Sequence, residues 1–210
     1  MKRYLALILA LALCLSLAAC SADPEPELDA ALSRGAVNGS VYTNESLKLQ
    51  FRLPSDWSFY SEEEIAEVNN MTKEMFESAD LKDVVSEGGQ FIDFFAASST
   101  NLDNVNLIIQ PADPKLSGLT DRQIFEVSEE SLRGQFTSAG MEIKSYEVIT
   151  VKFCGAEKSA LHVEATMRGF TLQEYQVLVR SDSEYNASLT ISSTTITDPQ
   201  TILDCFSAVK

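Results

Sequence analysis

The chain of 210 residues holds one histidine, one tryptophan and four cysteines. A lone histidine, His162, excludes a histidine-rich zinc site, and any Ser-His-Asp triad would hang on that residue alone. Positive charge is scarce as well: 16 Lys and Arg stand against 31 Asp and Glu. Such a surface repels nucleic acid and anionic lipid, so no nucleic-acid partner and no charge-driven membrane docking are expected. No phosphate-binding loop is present, because Gly88-Gly89 is followed by no Lys-Ser/Thr and reads as a turn. No apolar run reaches the roughly 20 residues that a membrane-spanning helix needs.

What is present begins at the N-terminus. Lys2 and Arg3 form a positive start, residues 4–15 form an apolar run, and Ser16, Leu17, Ala18, Ala19 and Cys20 follow. This order reads as a secretory signal with a small-residue cleavage site. Leu17-Ala18-Ala19-Cys20 resembles the lipobox of bacterial lipoproteins. The small side chains fit a peptidase cleft, and the Cys20 thiol is the nucleophile that becomes a diacylglyceryl thioether. Cys14 is a poor rival because the bulky Leu13 precedes it. The resemblance implies cleavage before Cys20, lipid attachment there, and a place on the extracytoplasmic face of the cell membrane. Each buried methylene of such an anchor is worth about 0.8 kcal/mol. Losing Lys2 and Arg3 leaves 14 basic and 31 acidic residues, a net charge of −17.

The expected organisation is a signal peptide at 1–19, a lipidated cysteine and acidic tether at 20–35, and one globular domain at 36–210. Pro24 and Pro26 break any helix in the tether, and its acidic residues keep it solvated. In the domain, 45% apolar content and eleven Phe supply a core. Leu47, Leu49, Phe51 and Leu53 alternate with Lys48, Gln50 and Arg52, which predicts a strand, paired with Val41 and Tyr42 around Asn44-Glu45. Trp57 is expected to seal the core edge. Ser61 and Glu64 form a capping-box pattern that opens a helix predicted over 61–78. Residues 91–97 and 105–109 predict a buried hairpin. Thr120 opens a second helix with Ile124, Val127, Leu132 and Phe136 as its apolar stripe, and Gly140 stops it. Strands at 142–153, 156–168, 171–181 and 184–196 form a meander. Asp198-Pro199 opens a last helix, with Ile202, Cys205, Phe206 and Val209 on one face. The fold class is therefore α+β, a mainly antiparallel sheet flanked by helices.

Tyr42-Thr43-Asn44, the stretch Leu49-Gln50-Phe51-Arg52-Leu53-Pro54, and Trp57 resemble the opening of PsbP-like domains and of related lipoproteins from Gram-positive anaerobes. Phe51, Pro54 and Trp57 carry the likeness. It implies an α/β/α sandwich, and it transfers no catalytic residue.

Few side chains invite chemistry. His162, Glu164 and Thr166 share the polar face of a strand, which reads as a solvated face before it reads as a metal pair. Asn101, Asp103 and Asn104 lack the spacing of a calcium loop. Glu62, Glu63 and Glu64 suit the first turn of a helix. Cys154 and Cys205, the cysteines left after the anchor, are a possible disulfide in an exported protein. Asn186, Ser188, Thr190 and Ser192, with Glu174 and Gln176, line one sheet face, read as either a solvated surface or a docking surface. No metal, no cofactor and no catalysis are expected. The expectation is a monomeric, non-catalytic binding or accessory protein with a protein or small-molecule partner in the envelope. Two alternatives stand beside it: a structural envelope lipoprotein, and an exported hydrolase that uses paired carboxylates.

Overall fold

A computed structural model describes residues 32–210 apart from Gly88, Arg168, Asp182, Ser183 and Lys210. The expected cleavage site and Cys20 lie outside the described residues. Two antiparallel sheets form the frame. The small one has the order β1 (Ala36–Asn38), β2 (Val41–Asn44), β3 (Leu49–Arg52) and β11 (Phe206–Ala208). The large one has seven strands. Its order is β4 (Trp57–Phe59), β5 (Phe91–Ser98), β6 (Asp103–Pro111), β10 (Tyr185–Ser193), β9 (Phe170–Ser181), β8 (Ala156–Met167) and β7 (Glu142–Phe153). The helices are α1 (Glu62–Val68), α2 (Lys73–Ser78), α3 (Leu81–Ser86), α4 (Asp121–Ser138) and α5 (Gln200–Leu203). The predicted α+β class with a mainly antiparallel sheet is what is found, and the hairpin and the meander fall where the apolar runs and turn signals placed them. No helix among the described residues is long and apolar enough to cross a membrane.

The main core lies between the sheets. Leu49, Phe51 and Phe206 from the small sheet meet Phe94, Leu107, Tyr175 and Leu189 from the large one. Phe51 stacks on Phe206 at 4.4 Å and on Phe94 at 5.5 Å. Trp57 is half-buried on edge strand β4 and packs against this core. On the opposite face of the large sheet, Ile124, Phe125, Leu132 and Phe136 of α4 cover Leu161, Val163 and Ala165 of β8 and Leu172 and Leu178 of β9. Each such side chain contributes roughly 1.5–3 kcal/mol on burial.

Four expectations need correction. The helix expected over 61–78 breaks after Val68, because Asn70 takes a positive φ of 57° and Asn69 serves another purpose. Asn69 donates through Nδ2 to the Ile92 carbonyl and accepts from the Ile92 N–H, which satisfies the edge of β5 beyond the end of β4. The last helix is only Gln200–Leu203. Phe206 extends instead as a strand, since the free edge of β3 gives its backbone partners and Phe51 gives its ring a stacking face. Val127 is 60% exposed, because the stripe of α4 runs through Phe125 and Ser128. Finally, packing begins before Ala36: Leu32 belongs to the main core, so the residues just before 36 join the domain.

Candidate functional site

The middle of the helix-bearing face of the large sheet is polar. Strand alternation places Val105, Leu107, Ala187, Leu189, Ile191, Tyr175 and Val177 in the main core. Their neighbours along each strand must therefore face the other way. These are Asn104 and Asn106 on β6, Asn186, Ser188, Thr190 and Ser192 on β10, and Glu174 and Gln176 on β9. The register aligns them in rows. Asn104 lies opposite Ser192, which lies opposite Glu174. Asn106 lies opposite Thr190, which lies opposite Gln176. An apolar strip borders the rows on one side, with Phe95 opposite Asn106 and Ala97 opposite Asn104. Leu161 and Val163, under α4, border them on the other side, opposite Gln176 and Glu174.

This face is not the solvated surface that its composition suggests. Asn106 is 0% exposed, Thr190 1% and Glu174 1%. The Gln176 amide donates to Glu174 Oε1 at 3.2 Å. Asn106 Oδ1 and Nδ2, Asn104 Oδ1, Asn186 Oδ1 and Glu174 Oε2 have no hydrogen-bond partner among the described residues. A buried polar atom left without a partner costs about 1–3 kcal/mol, and folded proteins keep few of them. Burial drives the Glu174 carboxyl well above the ordinary carboxylate range, and the Gln176 amide and the Ser192 hydroxyl oppose that shift. The face thus offers amide donors and acceptors, hydroxyls and one carboxyl that resists ionisation.

A second buried polar cluster ties the N-terminal segment down. Asp93 sits in β5 where the pairing with β6 shifts register between Ile92 and Phe94. Its carboxylate accepts from the Gly35 N–H, the Tyr42 hydroxyl and the Asn44 amide. Burial raises its affinity for a proton, and these three donors and the nearby Arg34 work against that. Arg34 donates to the Phe76 carbonyl at 2.7 Å, with its guanidinium 3.8 Å above the Phe76 ring. The Asp93 carboxylate holds three donors, so this cluster reads as a clamp, although Arg34 Nε has no hydrogen-bond partner among the described residues.

The other predicted residues are placed as follows. His162 stacks on Tyr175 at 4.5 Å, and its Nε2 lies 2.6 Å from Gln173 Oε1. Gln173 in turn donates to Glu164, so His162 and Glu164 do share a face, joined by an amide. Asp103 accepts from the hydroxyls of Ser193 and Thr195, while Asn104 points to the opposite face, so no calcium loop forms at 101–104. Glu64 completes the capping box with Ser61. Among the described residues no group of three or more His, Cys, Asp or Glu side chains is placed to hold a metal. Cys154 and Cys205 are free, half-buried thiols. Sequence reading found the β9 and β10 parts of the polar face and missed Asn106. Its signal was available: Asn104 and Asn106 alternate with Val105 and Leu107 inside an otherwise apolar run.

No family model and no curated protein matches the sequence. Several solved structures match in shape, two of them as follows. One is the solution structure of cyanobacterial PsbP (CyanoP) from Synechocystis sp. PCC 6803, at TM-score 0.45 and 11% identity, covering 91% of this chain and 98% of that one. The other is the crystal structure of LpqN, described as involved in cell envelope biogenesis of Mycobacterium tuberculosis, at TM-score 0.39 and 8% identity, covering 76% of this chain and 82% of that one.

Proposed function

We propose that this chain is a lipid-anchored, extracytoplasmic accessory protein that binds a polar ligand on the helix-bearing face of its large sheet and does not turn it over. One observation carries the binding part: fully buried Asn106 has neither amide atom partnered among the described residues, in rows shared with Thr190 and Gln176. A core position that serves packing alone is better filled by an apolar side chain of similar shape. Glu174 is the one carboxylate in those rows, so the two flanking carboxylates of a glycosidase are not assembled there. The anchor part rests on Leu17-Ala18-Ala19-Cys20.

Two experiments test this reading. Thermal melting of the purified protein with a small-molecule extract of the native envelope should raise the Tm of the wild type, and should not raise that of Asn106→Leu. Identical responses in both proteins would remove the binding site from this face. For the anchor, mass spectrometry of the membrane-derived protein should show an acylated N-terminus at Cys20, and Cys20→Ala should move the protein to the soluble fraction. An unmodified N-terminus would refute the anchor.

A further inference from the structure

Side-chain amides close parts of the edges of the large sheet, and one stretch of edge is left open. As Asn69 does for Ile92 beyond β4, Gln200 of α5 fills one rung on the outer side of β7. Its Oε1 accepts from the Lys152 N–H at 3.1 Å, and its Nε2 donates to the Lys152 carbonyl at 2.9 Å. Along an antiparallel strand, residues alternate in the side to which they aim both backbone groups. Lys152 aims outward, so Thr150, Val148 and Tyr146 do too, because the register with β8 runs unbroken from Ser145 to Phe153. Among the described residues no strand lies outside β7, and the outward N–H and C=O groups of these three residues meet no partner. We infer that this edge pairs with the same edge of a second copy of the chain, antiparallel and centred on Val148, to give a dimer in place of the expected monomer.

The ends of the open stretch single out a second copy. At one end Gln200 fills the rung at Lys152. At the other, the register shift between Ile143 and Ser145 breaks the ladder at Lys144. Positions 144 and 152 are equidistant from Val148, so a two-fold axis through Val148 sets each stop opposite the other. Between the stops, Val148 meets Val148 of the second copy and Tyr146 meets its Thr150. Each such pair exchanges two backbone hydrogen bonds, and β-branched and aromatic pairs suit a sheet. Tyr146 and Val148 are already half-buried against the α4 cluster, so little ordering is needed on pairing. Charge permits the contact as well. Strand β7 carries Glu142, Lys144, Glu147 and Lys152, and is neutral within a strongly acidic chain. Lys144 is paired with Glu142 at 2.6 Å, and Glu147 falls opposite Ile149 rather than opposite itself. An exposed edge invites open-ended pairing, whereas a two-fold contact uses the edge up and stops at two copies. The inference goes beyond the ligand-binding reading and depends neither on it nor on the anchor.

The test uses the full-length protein in a density-matched detergent. Sedimentation equilibrium at micromolar concentrations should give twice the mass of one chain. Thr150→Pro removes an outward N–H and leaves the ladder to β8 intact, since an edge strand tolerates proline on its open side. It should weaken dimerisation by about tenfold or more, because the two-fold axis repeats the loss. Cross-linking reads the register without relying on that variant, in a background with Cys154→Ser and Cys205→Ser. Val148→Cys should oxidise to a disulfide-linked dimer, because a hydrogen-bonded antiparallel pair brings its Cα atoms to about 5.5 Å. Thr150→Cys should not, because its two copies stand four residues apart, about 14 Å along the strand. Cross-linking of both variants or of neither would overturn this pairing, and so would a single-chain mass at every concentration. A Val148→Cys thiol that links instead to another protein in whole cells would give the edge to that protein and overturn the dimer.

Discussion

The Tyr42 hydroxyl donates to Asp93 Oδ2 at 2.5 Å, a bond that joins the small sheet to the register shift in the large one. Both groups are fully or nearly fully buried, at 0% and 4% exposure. Tyr42→Phe should cost about 1–3 kcal/mol, because it leaves a buried carboxylate one donor short. Asp93→Ala should cost roughly 3 kcal/mol or more, since it strands the Tyr42 hydroxyl, the Gly35 N–H and the Asn44 amide at once. Urea unfolding checks both. Losses below about 0.5 kcal/mol would show that the clamp contributes nothing.

The same clamp sets the N-terminal boundary of the domain. A protein beginning at Ala36 loses buried Leu32, the Arg34 contact with Phe76, and the Gly35 bond to Asp93. Leu32 alone is worth about 1.5–3 kcal/mol on burial. The truncated protein should therefore melt at least about 5 °C below one that begins at Ala30, taking 2–4 °C per kcal/mol for a domain of this size. Equal melting temperatures would return these residues to the tether.

Glu174 predicts how stability depends on pH. Its carboxyl titrates well above 4.5 in the folded protein because burial penalises the charge. In that interval the folded state binds more protons than the unfolded one. Glu174 therefore contributes most below the unfolded value, and that contribution is lost as pH rises through the folded value. Wild-type stability should include a fall with rising pH over this interval, and Glu174→Gln should abolish that component. At neutral pH the variant should be as stable as the wild type or more so. A variant with the same pH profile would mean that Glu174 ionises freely in the fold.

Local pattern carried much of this structure. Alternation located β3, continuous apolar runs located β5 and β6, turn signals marked out the meander from β7 to β10, and cap residues Ser61 and Thr120 located the starts of α1 and α4. What it missed depends on distant partners. Asn69 ends α1 because Ile92 offers it a strand edge, and Phe206 extends because β3 offers it another. Neither edge is visible in a window of neighbouring residues. Asp93 was legible as a charge inside the run Phe91-Ile92-Asp93-Phe94-Phe95, but its partners, Gly35, Tyr42 and Asn44, lie about 50 residues away. The polar rows were half legible for the same reason. Alternation showed which side chains share a face on each strand, and only the pairing of β6 with β10 brought Asn104 and Asn106 into line with Ser192 and Thr190.

The two thiols of the domain give a last test. The rings of Phe153 and Phe206 lie 5.6 Å apart, so Cys154, which follows one, and Cys205, which precedes the other, flank a shared patch of the main core. The Cys205 thiol donates to the Thr201 carbonyl at 3.6 Å. Burial raises both thiols above the ordinary value, with Lys158 opposing the shift at Cys154 and Asp204 adding to it at Cys205. The thiolate is the reactive form, so each unit of upward shift slows reaction about tenfold at neutral pH. The folded protein should therefore react with iodoacetamide more slowly than a free cysteine peptide at neutral pH. The rate should climb as pH rises, and both thiols should react fully once the chain is unfolded in urea without reductant. If neither thiol reacts in urea until a reductant is added, the chain carries a Cys154–Cys205 bond. Closing that loop would add about 4 kcal/mol of stability by the chain-entropy relation, and the oxidised protein would then melt above the reduced one.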